Sequence, residues 1–265
     1  MYELQKETYL GNTRNSFTTD LGISVVETEY QQKVYEGWHS HSNSHITYFL
    51  KGGTTEKRKS GSEIVGPGSL LFYHSDESHL NQNTLFPSRN INIEVEDHLL
   101  EGLNLSEELI ERSLENSLHT KFLILKIFKE TLNADAYSGD SIMMLFSQLS
   151  DTDQSLKRYH TAPIWVKNVE ELLNDCWNEN PSLTDLSEVL QLNPITISKH
   201  FPKYFGCTYG EYMRRLKIDR SLALVQDSNY SLTEVAMQCG FSDQSHFIRT
   251  FKSQTGFLPK QFQKL

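Results

Sequence analysis

The chain is poor in cysteine, in long apolar runs and in basic charge. Its three cysteines, Cys176, Cys207 and Cys239, are scattered, odd in number and free of C-x-x-C spacing. That argues against a disulfide framework and fits a reducing cytoplasm. No apolar run approaches the roughly 18 residues that a membrane-spanning helix requires. The opening residues Met1 to Lys6 lack the basic-then-apolar form of a secretory signal. A cytoplasmic protein without a membrane partner is therefore expected. Lys and Arg number 25 against 34 Asp and Glu, a net charge of −9, which is awkward for a chain that must bind phosphates.

The deficit is uneven. Residues 1–162 hold 14 basic and 23 acidic side chains, whereas residues 182–265 hold 10 and 7. The acidity belongs to the front of the chain, and the back is mildly basic. With 37% hydrophobic residues, the chain carries enough apolar material for two cores.

The back also contains a repeat. Ser182-Leu183-Thr184-Asp185-Leu186 returns 49 residues later as Ser231-Leu232-Thr233-Glu234-Val235, and Phe201 and Gly206 return 50 residues later as Phe251 and Gly256. One residue has been added at the second turn. Ser182 and Ser231 suit helix N-caps, with Asp185 and Glu234 three residues on, as in a capping box. Leu183, Leu186 and Val189 are expected to face inward in the first copy, and Leu232, Val235 and Ala236 in the second. Ile197 with Phe201 and Phe247 with Phe251 are i,i+4 pairs that would pin a second helix in each copy. Between the copies, Tyr209 to Gln226 reads as one helix. Tyr212, Leu216, Leu224 and Val225 would dock on both units, while Arg214, Arg215, Lys217 and Arg220 decorate it. Helix, turn, helix, written twice, is the plan of a tandem helix-turn-helix reader of double-stranded DNA.

Ser231 to Ala236, Cys239 to Phe247, Arg249 to Lys252, Gly256 and Pro259, together with Tyr212, Arg215, Leu216 and Leu224-Val225, resemble the AraC/XylS family of bacterial transcription regulators. The first copy departs from that pattern at Pro202, where a proline is expected to bend the helix, and the connecting helix departs at Ser221. The resemblance implies base-reading positions at Ile195, Ser198 and Lys199 in the first copy and at Gln244, Ser245 and Arg249 in the second, with His246 beside them. Lys or Arg suits guanine, Gln suits adenine and Ile suits a thymine methyl; phosphate contact is the alternative for Lys199 and Arg249. It further implies a promoter as partner, RNA polymerase, a small-molecule effector, a homodimer, and activation rather than repression.

The first hundred residues read as β. Val25–Tyr30, Ile46–Leu50, Ser69–Tyr73 and Asn90–Val95 are short β-branched and aromatic runs, the last alternating as a half-buried strand should. Gly52-Gly53 and Gly66-Pro67-Gly68 read as turns. From about 104 to 149 the period is helical, with Ser106 as a cap, and Ser150 to Pro163 reads as a linker. The expected architecture is α+β in two domains: a β-barrel with following helices over 1–150, a linker over 151–163, and an all-α tandem helix-turn-helix over 164–265, with its units at about 182–206 and 231–256.

Gly37-Trp38-His39-Ser40-His41, His45 and Gly52 resemble the first cupin motif, with His45 in the place of its carboxylate, and Gly61, Pro67-Gly68 and His79 resemble a degenerate second motif. In regulators of the AraC type a cupin-like sensor domain implies histidines kept as pocket or structural residues, with no metal, no cofactor and no catalysis. His39, His41, His45 and His79 are the alternative metal ligands. They carry the alternative function, a metal-binding cupin with enzymatic activity fused to a DNA-binding module. Trp38, Tyr48, Phe72 and Tyr73 would line the barrel, around a small organic ligand such as a sugar or as a filled core.

Overall fold

The computed structural model describes residues 2–115, 118–160 and 162–265, and the chain divides into two compact units, one up to Ser150 and one from Asp151. The first begins with β1 (Tyr2–Leu4), β2 (Asn12–Thr18), β3 (Ile23–Tyr30), β4 (His39–His41), β5 (His45–Arg58), β6 (Gly61–Val65), β7 (Leu70–Tyr73) and β8 (His79–Val95). They form one curled sheet. Its order is β1-β4-β8-β3-β2, and β5 adds pairings to β6, β7 and β8. The two long strands make the curl: β5 runs antiparallel to β8 from His45 opposite Glu94 to Arg58 opposite His79.

Two expectations change here. Gly52-Gly53 is not a chain reversal but a bend inside β5, where the register with β8 slips. Gly52 has φ +79 and Gly53 φ +149, and a Cβ on Gly53 would lie 2.4 Å from the Val65 carbonyl oxygen. Glycine is required there because the backbones approach closely and the strand must kink. Asn90–Val95 is buried on both faces rather than one. Ile91, Ile93 and Val95 face the apolar core. The alternate positions, Asn90, Asn92 and Glu94, are polar yet buried and form a wall in which Asn92 and Glu94 are hydrogen-bonded while Asn90 Oδ1 has no partner. Asn92 Oδ1 accepts from the Thr47 hydroxyl at 2.9 Å, and its Nδ2 donates to Thr28 Oγ1 at 3.1 Å.

The sheet is followed by α1 (Asp97–Gly102), α2 (Glu107–Glu115), α3 (Leu118–Asn133) and α4 (Ser138–His160). Ser106 caps α2, accepting from the Leu109 N–H at 3.2 Å. The apolar run of α3 is buried nearly all round, from Phe122 to Phe128. The expected linker is helical as far as His160. The polar run from Ser150 to Ser155 contains neither glycine nor proline, so nothing in it stops a helix begun upstream. The side chains from 150 to 160, and position 161, lie outside the described residues.

The second unit contains α5 (Ile164–Asp175), α6 (Leu183–Leu190), α7 (Pro194–Phe205), α8 (Tyr209–Gln226), α9 (Leu232–Gln238), α10 (Gln244–Thr255) and α11 (Pro259–Phe262). Both capping boxes close: Asp185 returns a bond to the Ser182 N–H at 2.7 Å, as Glu234 does to Ser231. The shorter Asp therefore serves as well as Glu. α7 and α10 each span twelve residues and end on a left-handed glycine, Gly206 and Gly256. α7 continues across Pro202 to Phe205. Val189 is 65% exposed, contrary to expectation. Along α6 the face set by the buried Leu186 continues one residue further on, through the half-buried Leu190.

Candidate functional site

Each half of the tandem is built around aromatic pins. Ile197 and Phe201 on α7, and Phe247 and Phe251 on α10, are fully buried. The Phe201 ring stacks on Phe205 at 4.2 Å, and Phe251 meets Phe262 edge-on at 5.5 Å. With those positions turned inward, helical geometry turns the intervening ones outward. Ile195 is 74% exposed, and Ser198, Lys199, Gln244, Ser245 and Arg249 are exposed as well. His246 is half-buried, its ring edge-on to Phe241 at 5.3 Å. Asn193 caps α7 through the Ile195 N–H, and Asp243 caps α10 through the His246 N–H. The expected base-reading residues thus cluster in the first half of each exposed helix, the end that reaches base edges in helix-turn-helix docking.

α8 couples the two halves, packing against α7 on one side and α9, α10 and α11 on the other. Eighteen residues make a rod of about 27 Å. Tyr212, Met213, Leu216, Ile218, Leu222 and Val225 are buried along it. Ser221 is buried too, its hydroxyl donating to the Ile218 carbonyl at 2.7 Å, so a polar residue is accommodated where the family pattern has an apolar one. Lys217 corrects the sequence reading: it does not decorate the surface but is 4% exposed. Its ammonium donates to the Gly240 carbonyl at 2.8 Å and to Asn180. Burial lowers its pKa. Lys217 is the tie between α8 and the turn that sets α10. Arg214 and Arg220 stay exposed, and Arg215 pairs with Glu211 one turn earlier.

The front unit gathers four buried histidines. His39 and His41 lie on β4, His79 stands opposite His39 on β8, and His45 opens β5. His39 and His79 are 4.3 Å apart, ring to ring, and His41 and His45 are 4.4 Å apart. Burial pushes His41 down to about 2 and His45 and His79 to about 3, and it lowers His39 as well. All four are neutral imidazoles at pH 7. They border a cavity of about 50 Å³ with Tyr9, Tyr73, Thr47, Asn90 and Asn92.

Three of the expected lining residues lie elsewhere. Tyr48 and Phe72 are buried away from the cavity and Trp38 is 38% exposed. The reason is strand alternation: His45, Thr47 and Phe49 face the cavity along β5, which turns Tyr48 away, and Tyr73 faces it from β7, which turns Phe72 away. Tyr9 has no local signal in the sequence. It is held by a long-range contact, its hydroxyl donating to Glu94 at 2.7 Å while the Glu7 N–H donates to the same carboxylate. A cavity of this size is far below the roughly 300 Å³ at which organic-ligand sites begin.

A helix-turn-helix domain family matches residues 186–265. Among curated proteins, the chain is 24% identical to the HTH-type transcriptional activator RhaR of Enterobacter sp. (strain 638), over 94% of each chain. It is 36% identical to the transcriptional activator RhrA of Rhizobium meliloti (strain 1021), over 33% of this chain and 28% of that one. Among solved structures, ToxT from Vibrio cholerae aligns over 92% of this chain and 98% of its own, at 17% identity and a TM-score of 0.37. A transcriptional regulator with an AraC-type DNA-binding domain from Chromobacterium violaceum aligns over 38% and 89%, at 21% identity and a TM-score of 0.36. The match over residues 186–265 falls on two capped helix pairs joined by one buried strut: the back unit carries a helix-turn-helix domain, and the chain as a whole is similar to transcriptional activators.

Proposed function

We propose that the chain is a sequence-specific activator of transcription that reads a promoter through α7 and α10 and is governed by its front unit. The observation that carries this reading is the pair of pinned helices, each presenting uncharged or basic side chains from its exposed first half. The relatives RhaR and RhrA are named activators, which supports activation, and with it contact with RNA polymerase. In this reading the curled sheet is a cupin-like sensor, the protein is a cytoplasmic homodimer, and its effector is small. The internal cavity of about 50 Å³ has room for a few water-sized occupants rather than a sugar, at about 10–15 Å³ each. Ile195, Ser198, Lys199, Gln244, Ser245 and Arg249 contact bases or the adjoining phosphates, and His246 contacts a phosphate.

Arg249 offers the sharpest test. Its side chain is exposed on α10, two residues from the buried Phe247 and Phe251. Arg249→Ala is expected to weaken specific binding by about 1–3 kcal/mol and to relax preference at one base pair. Binding measured against a panel of single-base operator variants checks this. Equal weakening at every position would make Arg249 a phosphate contact. Unchanged strength and specificity would remove it from the interface.

A further inference from the structure

We propose that His39, His41 and His79, without His45, bind one divalent transition-metal ion in the front unit. One ligand atom from each of the three lies within 4.8 Å of the others, and all three side chains are buried. Nitrogens that share one ion at about 2.0–2.1 Å lie within about 4.2 Å of one another, so small side-chain rotations would draw this slightly wider set onto a common centre. The tautomers are set. His39 Nδ1 faces the Gly37 carbonyl at 3.1 Å and His79 Nδ1 faces the Glu77 carbonyl at 3.0 Å. A carbonyl can only accept, so each Nδ1 carries the proton and each Nε2 keeps a free lone pair. Such backbone anchoring is the outer support typical of metal-bound histidine. His41 Nδ1 is buried with no hydrogen-bond partner. An unpartnered buried nitrogen costs stability unless something fills its need.

His45 stands where the cupin resemblance has a carboxylate, but it lies outside the three-nitrogen group. No carboxylate belongs to that group among the described residues. Three neutral imidazoles suit zinc, cobalt, nickel or copper rather than calcium or magnesium, which prefer oxygen. The adjoining cavity of about 50 Å³ accommodates an ion with a bound water and excludes larger ligands. β1 pairs with β4 directly over two of the ligands, Tyr2 with His39 and Leu4 with His41. An ion there would brace the segment that also brings Tyr9 against His41.

The test uses the full chain, purified without a metal-affinity tag, treated with a chelator and titrated with Co²⁺. One ion per chain is expected, with visible absorption bands, and competition by Zn²⁺. His41→Ala and His79→Ala are each expected to weaken binding by roughly 100-fold or more, and His45→Ala to retain it. Absence of saturable binding by the wild-type chain would overturn the proposal, as would binding that survives both His41→Ala and His79→Ala. X-ray absorption on the cobalt-loaded wild-type chain counts imidazoles whether or not the variants fold. Three supports the assignment, four restores His45 to the site, and two or fewer refutes it. No DNA is present in any arm, so the outcome is independent of the promoter-binding reading.

Discussion

Phe251→Ala is expected to destabilise the C-terminal unit by about 3–5 kcal/mol and to abolish measurable promoter binding. The ring is fully buried between Phe247, at 5.6 Å, and Phe262, at 5.5 Å. It holds α10 to the helix that closes the unit. Removing it leaves a cavity bordered by two aromatic rings that belong to different elements, so the site cannot collapse by moving one side chain. Whole domains are stable by only about 5–15 kcal/mol, so the loss is a large share of the total. Denaturant unfolding of the full chain, followed with a probe in this unit, measures it. Arg249→Ala is the matched control: it should leave the unfolding midpoint where it was and change only DNA binding. If Phe251→Ala unfolds at the wild-type midpoint, the aromatic pins do not position α10.

Gly240→Ala should cost about 2 kcal/mol or more and misplace α10 even in molecules that stay folded. Gly240 opens the turn between α9 and α10 at φ +66. A left-handed conformation alone costs an L-residue about 1–2 kcal/mol. The added Cβ would also lie 2.3 Å from the Asn178 carbonyl oxygen and 3.0 Å from Lys217 Nζ. The first of these is backbone and cannot step aside. If the turn moves instead, its carbonyl leaves the Lys217 ammonium, a buried cation for which it is one of two acceptors, and an unsatisfied buried charge is destabilising. The same position in the first copy is Gln191, also left-handed at φ +52, so the turn geometry repeats while only the second copy packs too tightly for a side chain. Thermal unfolding and promoter affinity of Gly240→Ala together decide it. A variant with wild-type values in both would show that the turn tolerates a side chain and that Lys217 is not its tie.

The C-terminal half was legible because its signals are local. A capping serine, an acidic residue three positions on, an i,i+4 aromatic pair and a closing glycine lie within one supersecondary unit, and a second copy at nearly constant offset reinforces each of them. Lys217 was misread for the same reason. Its sequence neighbours Arg214, Arg215 and Arg220 suggest a solvated face, and only the packing of the Gly240 turn against α8 reveals a buried cation. In the front unit four of the eight strands, β3, β5, β7 and β8, are legible at least in part, but not their faces. Asn90–Val95 alternates in the sequence exactly as a strand with one wet side would, and nothing local says that its polar side borders an internal cavity. Tyr48 and Tyr73 are equally aromatic and equally strand-like, and which one faces inward depends on register with β7 and β8. Tyr9 could not be found at all, since its partner Glu94 is 85 residues away. The segment expected as a linker is helical to His160, because its polar run holds no helix-breaking residue.

The central claim is that α7 and α10 enter successive major grooves of one duplex. Selecting preferred duplexes from a random pool with the full chain, then mapping base-by-base interference on them, tests it most directly. Two clusters of major-groove interference are expected on one face of the duplex, about 10–10.5 base pairs apart. Arg249→Ala should erase contacts within one cluster and Lys199→Ala within the other. A single cluster, two clusters on opposite faces, or enrichment of no sequence at all would contradict it.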